Sequence, residues 1–465
     1  MSTSVARKTS KTIFRATEPP ARVLRGPVLW FVADPWKVAP EAAVRYEQDG
    51  LVWMQDGHIR AVGAADDVRA QLPAEAEIIA WADHLILPGF LDAHTHFPQT
   101  AMIASRGDHL VDWLHRYTFI EEQRFTERAY AAAMAECFLD EQLRHGVTTA
   151  AVFCTSAPVS AEVLFEAAAA RNLRILAGKV CMDRHAPAPL CDTPERAAAE
   201  TRALLQTWHG RGRAEVMITP RFAPTSSEAQ LAALAEVASE YPHAPIQSHI
   251  SEQIGEVAWV QQLFPNDADY TAVYERFGLL RPRAIYGHGI HLSEGELTRF
   301  HDAGAAIAHC PSSNFFLGSS SLDLSKVKNP RRPVRVGLGT DVGAGTDFSM
   351  LRTLGEAYKA GQTHHKSLHP YQLLWLATAG AAEALGLEDR VGNLQPGLEA
   401  DVVVLNPRAT PLLATRTERA TSAADLLFAM MILGDDRTIA ATYIAGDAVP
   451  TPEAPPHGET AGTAG

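Results

Sequence analysis

The chain has 465 residues, 46% hydrophobic and 20% charged, with a formal net charge of −13, the balance of an ordinary globular protein long enough to bury a large core. That acidic excess argues against a nucleic-acid partner, which needs a basic patch to displace counterions, and suits a small neutral or cationic ligand; no apolar run reaches the length of a membrane span. Five scattered cysteines (Cys137, Cys154, Cys181, Cys191, Cys310) form no CxxC pair, which suggests neither a disulfide framework nor a thiolate zinc site and points to a reducing, cytoplasmic compartment.

Residues 1–19 carry several basic side chains before Glu18 but no apolar core of a secretory signal, and read as a disordered tail. In residues 20–84 the stretch LVWMQDGHIRAVG (51–63) reads as two strands around an Asp-Gly turn, the first part of a small β domain. From residue 85 to 393, short apolar runs alternate with helical stretches. Eight strands are expected: Leu85 to Leu91, Val147 to Phe153, Leu173 to Val180, Ala214 to Pro220, Ala244 to Ile250, Arg283 to His288, Ala305 to His309 and Val334 to Thr340. Helix starts stand between them at Thr126, at Thr193-Pro194, and at the capping boxes Ser227-x-x-Gln230 and Ser293-x-x-Glu296. This alternation predicts the α/β class and a (β/α)8 TIM barrel. GLEADVVVLN (397–406) and TYIAGDAV (442–449) return to the β style, so residues 394–449 are the second part of the flanking domain, which neither end could build alone. Residues 450–465 read as a second disordered tail, and no solenoid repeat is present.

Barrel chemistry gathers at the C-terminal ends of strands. His94 and His96 follow the first expected strand, and a period of two aims both side chains one way. His249 and Glu252 close the fifth strand in QSHISE, His288 the sixth in YGHG, and Asp341 the eighth in GLGTD. Imidazole and carboxylate suit Zn²⁺ or Fe²⁺, and such a site lowers the pKa of a bound water towards ~7, supplying hydroxide as nucleophile. Glu252, three residues after a ligand, is placed to shuttle a proton. His185, His291, His301 and the pair His364-His365 fall on loops or helices and read as surface or structural, and His309, at a strand end in AHCP, stays open.

His94-x-His96, His249, His288 and Asp341, in this order, resemble the amidohydrolase superfamily in its mononuclear deaminase branch. The blocks PGFLDAHTHFPQ, WLHRYTFIEEQRF, GKVCMDRHAP, ITPRFAPTSS, QSHISE, GHGIHLS, IAHCPSSNFFLGSS and GLGTDVGAGTDFSML look like the guanine deaminases of that superfamily, the bacterial ones in particular. The resemblance implies a barrel with a small β-sandwich domain built from both chain ends, and a homodimer. It implies one metal, Zn²⁺ or Fe²⁺, held by His94, His96, His249 and Asp341, with Glu252, His288 and Asp341 catalytic. It places the purine against Gln99, Arg221 and Phe222, with His249, Glu252 and His288 also facing the substrate. An arginine or glutamine amide meets the O6 and N7 acceptors of guanine, and Phe222 either stacks on the ring or packs as ordinary core. Binuclear relatives carry a bridging lysine or glutamate on the fourth strand; MITPRF has neither, and Lys179 is the nearest lysine.

The implied reaction is hydrolytic deamination of guanine to xanthine and ammonia, with Glu252 protonating N3 and Asp341 or Glu252 passing a proton to the amine. A related deaminase or chlorohydrolase acting on another purine, 8-oxoguanine, a pterin or a triazine would keep the same metal site. A noncatalytic assembly protein of the same fold would have lost ligands that this chain retains. The loop Gly318-Ser-Ser-Ser321 is expected to be either a mobile cover or a linker.

Overall fold

The computed structural model describes residues 21–107 and 110–450; the expected tail 1–19 lies outside them, as does the expected tail 450–465 apart from Pro450. In chain order the strands are β1 (Arg22–Phe31), β2 (Val44–Gln55), β3 (His58–Ala64), β4 (Glu77–Ala80), β5 (Leu85–Pro88), β6 (Phe90–His96), β7 (Val147–Phe153), β8 (Arg174–Gly178) and β9 (Val180–Cys181). They continue as β10 (Ala214–Val216), β11 (Thr219–Pro220), β12 (Ile246–Ile250), β13 (Ala284–His288), β14 (Ala306–His309), β15 (Arg335–Leu338), β16 (Val402–Leu405), β17 (Ile439–Ile444) and β18 (Asp447–Ala448).

The two flanks meet in one eight-stranded sheet of order β18-β17-β16-β5-β1-β2-β3, with β4 pairing β1. β2 and β3 are joined by Asp56-Gly57, whose φ values of 54° and 74° are the two positive angles a tight hairpin turn requires. Two helices also lie in this flank, Pro411–Thr417 and Ala423–Leu433, where only β structure was expected. The second reads AADLLFAMMIL, too uniformly apolar to show a helical stripe.

The expected first barrel strand, Leu85 to Leu91, is corrected to two strands in two sheets. Leu85–Pro88 pairs with β16 and β1, and Phe90–His96 pairs with β7. The chain changes sheets at Gly89, where a Cβ would lie 2.3 Å from the Thr148 hydroxyl oxygen. The third and fourth expected strands each break in two, and their halves pair in step, β8 with β10 and β9 with β11. All pairs in this region are parallel, in three groups: β10-β8-β7-β6, β11-β9 and β12-β13-β14-β15. The ladder is not one unbroken ring. Single bridges, Ile218 to Ile246 and Phe222 to His249, join the fourth position to the fifth, and the Asp341 N–H donates to the His94 carbonyl across the remaining seam at 2.9 Å.

Strands such as VTTAAVF are buried at every residue because helices cover the outer face while side chains fill the inner one. The helix Pro194–Trp208 starts as expected, with Thr193 accepting the Arg196 N–H, and the Ser293/Glu296 box is complete. Ser227 caps its helix, but the Gln230 side chain is buried without a partner, so the reciprocal half of that expected box is missing. Thr126 ends a 3-10 turn, and the helix Arg128–Arg144 starts after Glu127 instead. Arg174 and Arg213 reach from the strand bases to Glu399, and Arg213 also to Asp401, tying the flanking sheet to the parallel strands. Among the described residues no helix is long and apolar enough to cross a membrane.

Candidate active site

His94 and His96 lie inside β6 rather than after it, and their side chains converge on Asp341, just beyond β15. His94 Nε2 and His96 Nε2 stand 3.5 and 3.3 Å from Asp341 Oδ1, and His96 Nε2 stands 3.2 Å from His249 Nε2, on β12. His288 ends β13 with Nε2 3.4 Å from Glu252 Oε2 and 3.9 Å from Asp341 Oδ2. Ser251, His288 and Asp341 all take left-handed φ angles (50°, 72° and 53°), which turn the chain at the strand ends where His288, Glu252 and Asp341 meet.

The donor chemistry fits a divalent cation. Burial pushes the His96 imidazole down to about 4, against the pull of Asp341, and drives His249 well below its ordinary value, so both rings are neutral and offer lone pairs. Burial alone would raise the Asp341 carboxyl, but the His94 and His96 rings beside it hold it well below the usual range. His94 Nε2 is buried without a hydrogen-bond partner, an orphan that a cation would satisfy. Ligand atoms of His94, His249 and His288, and of His94, Cys310 and Asp341, each fall within 4.8 Å of one another. Cys310 is thus closer to the centre than its lack of a CxxC partner suggested. Burial drives its thiol well above the ordinary value, so it stays a neutral neighbour while the imidazoles and carboxylate carry the donor role.

Two of the imidazoles are held from behind. His249 Nδ1 faces the Arg221 carbonyl at 2.7 Å, and His288 Nδ1 faces Asn314 Oδ1 at 2.9 Å, which leaves both Nε2 atoms for the centre. Glu252 is 3% exposed, and burial, followed by the nearby Asp341 charge, pushes its carboxyl up to about 8. Ser319 Oγ donates to it at 3.4 Å. Glu256 accepts the backbone N–H of Glu252 at 2.8 Å and the Tyr270 hydroxyl at 2.8 Å. Asp92 accepts the Thr340 N–H at 2.9 Å and the His94 N–H at 3.3 Å, pinning β6 to the chain beyond β15. Sequence reasoning missed Asp92, Asn314 and Glu256 and marked Ser319 only as part of the 318–321 loop; of the three missed, only Asp92, two residues before His94 on the same strand face, carried a readable signal.

The centre opens into a narrow cleft. Gln99, Arg221 and Phe222 line it together with Trp113, Leu114 and Ala344. Arg221 Nη1 donates to both oxygens of buried Glu122, at 2.9 and 3.1 Å. Phe222 borders the cleft and packs in an apolar cluster with Trp113 and Phe119, edge-on to the His249 ring at 6.4 Å.

Lys179 lies outside the centre, fully buried and paired with Asp192 at 2.6 Å and Glu200 at 2.7 Å. The 318–321 segment is tied down rather than free: Gln253 donates to Ser319 Oγ, the Ser319 carbonyl faces His291, and Ser321 meets Thr363 and His364. His291 and His364 thus anchor that strap, His301 faces the Pro333 carbonyl, and His185 stacks on Trp259. His309 is buried with neither ring nitrogen bonded and belongs to neither donor group.

The amidohydrolase family pattern matches residues 85–449. Guanine deaminase of Escherichia coli is 43% identical over 405 residues, 87% of this chain and 92% of that one. The probable guanine deaminase of Deinococcus radiodurans is 38% identical over 434 residues, 92% of this chain and 98% of that one. The crystal structure of guanine deaminase from Bradyrhizobium japonicum superposes with a TM-score of 0.90 at 38% identity, covering 94% of this chain and all of that one.

Proposed function

The chain belongs to the amidohydrolase family, and from that premise we infer that it hydrolyses guanine to xanthine and ammonia. The observation that carries this reading is identity of 43% and 38% with guanine deaminases over nearly the whole length. In this reading the parallel strands from Phe90 onward close as a (β/α)8 barrel, and the flanks 20–84 and 394–449, joined by β5, form a small β-sandwich domain.

We assign His94, His96, His249 and Asp341 to one divalent cation, Zn²⁺ before Fe²⁺. Such an ion supplies an acidified water at neutral pH. Arg221 and Gln99 hold the polar edge of the purine, while Trp113, Leu114 and Phe222 exclude bulk water around it. Glu252, whose buried carboxyl keeps its proton near neutrality, delivers that proton to ring N3 as oxygen adds at C2. Asp341 takes up the proton lost by the water and returns it, directly or through Glu252, to the departing amine; as the C2–N bond breaks, the hydroxyl left at C2 gives its proton back to Glu252, so that guanine and water balance xanthine and ammonia. His288, oriented by Asn314, presents Nε2 to the oxygen at C2.

The test is ammonia release from guanine by metal-quantified protein, beside adenine, guanosine and 8-oxoguanine. Release from guanine in strong preference to the others is expected; silence on guanine with metal bound would overturn the reading.

A further inference from the structure

Glu122 has no role in the reaction above, yet it is 1% exposed behind the wall of the cleft. Its carboxylate receives Arg221 Nη1 on both oxygens, and the Gln99 side chain lies beside it. An ionised carboxylate can only accept, so Gln99 must turn its amide NH₂ towards Glu122 and its carbonyl oxygen away. That oxygen packs on Gly343, where a Cβ would lie 2.0 Å from it and where φ is +119°. Arg221 can only donate, and its guanidinium lies over the Phe119 ring, 5.6 Å from the centroid. One buried carboxylate therefore sets the polarity of two pocket residues at once, placing an acceptor, Gln99, near donors, Arg221.

We propose that Glu122 is a specificity-determining residue. By fixing the amide orientation of Gln99 and the plane of Arg221, it makes the pocket complementary to a lactam edge, a ring N–H beside a carbonyl, and opposed to an amidine edge, a bare ring nitrogen beside an amino group. The inference rests on the reading that Gln99 and Arg221 hold the purine. Guanine carries the lactam edge at N1 and C6. 2,6-Diaminopurine keeps the same 2-amino group and reverses both positions, leaving the Gln99 oxygen and an Arg221 N–H without partners. A site built around hydrogen bonds rejects such a mismatch strongly, by up to about 10⁴–10⁵-fold. With an amide in place of Glu122 the demand for a donor disappears, and Gln99 is free to rotate.

The experiment is kcat/KM for ammonia release from guanine and from 2,6-diaminopurine, in the wild type, Glu122→Gln and Glu122→Asp, with metal content measured in each. Glu122→Gln is expected to lower the preference for guanine by at least about tenfold, mainly through KM for guanine, at unchanged metal content, and Glu122→Asp to restore part of it. An equal slowing of both substrates, or an unchanged rate on guanine, overturns the proposal. Should Glu122→Gln fail to fold, Gln99→Met, which keeps the Glu122–Arg221 pair and removes the acceptor, must lower the same preference, and an unchanged preference there overturns it as well. A wild-type protein inert towards guanine would remove the underlying reading itself, whereas an active wild type with a fixed preference removes only the role of Glu122.

Discussion

Replacing Glu252 by glutamine removes a proton and little else. The amide has nearly the same volume, its carbonyl can still accept from Ser319 Oγ at 3.4 Å, and the backbone N–H held by Glu256 is unaffected. The side chain is not among the assigned cation donors, so metal content should stay near one per chain. What is lost is the carboxyl that burial and Asp341 hold up at about 8, and with it a proton available beside the cleft at neutral pH. General acid-base groups of this kind contribute about 10²–10⁴ in rate, or ~3–5 kcal/mol. Glu252→Gln should therefore lower kcat by at least about 10²-fold, measured as ammonia release at saturating guanine. The sign with pH follows from the direction of the shift. A raised pKa keeps the proton on through neutrality and loses it as pH rises, so wild-type kcat/KM should fall on an alkaline limb at or below about 8, a bound dication moving that limb downwards. The variant should lack the limb. Near-normal kcat with metal in place, or an unchanged limb in Glu252→Gln, would refute the assignment.

Three further outcomes are expected. Asp92→Ala leaves the buried N–H groups of Thr340 and His94 without their acceptor, which should cost about 2–4 kcal/mol in urea unfolding and weaken metal retention; a change within about 0.5 kcal/mol would show that the seam does not depend on it. Asn314→Leu frees His288 to rotate and should lower kcat by about tenfold or more with little change in KM, while Asn314→Asp, which keeps an acceptor at Nδ1, should recover most of the rate; equal loss in both variants would contradict an orienting role. Removal of the cation by a chelator should abolish ammonia release, and added Zn²⁺ should restore it; full activity in protein shown to be metal-free would dismiss the donor assignment.

The strands were legible where burial on both faces writes an apolar run, and VTTAAVF begins and ends where its sequence pattern does. The run LILPGFLDAHTH misled because it stays apolar through a change of sheet. The break at Gly89 answers to Thr148, 59 residues further on, and nothing local records that encounter. The metal-type residues were readable for the opposite reason: their chemical identity and their place at strand ends are both local. Their supports are not, because an asparagine such as Asn314 becomes functional only by what it faces after folding.

Glu121 and Glu122 make the point within one dipeptide. In FIEEQ both look like solvated helix positions, yet Glu121 bonds the partly exposed Tyr130 and Arg124, while its neighbour turns inward to Arg221. The selection is made a turn earlier, where Leu114–Thr118 winds as a π-helix between two short α-helical turns. A π turn takes more residues than an α turn and rotates everything after it relative to a 3.6-residue count. Trp113 and Leu114, at the start of that wide turn, line the cleft, and Glu122, after it, reaches the same cleft from behind through Arg221. A wide turn in a helix is an unfavourable geometry that recurs at functional sites, and here it brings apolar wall and buried carboxylate to one pocket from a single short segment.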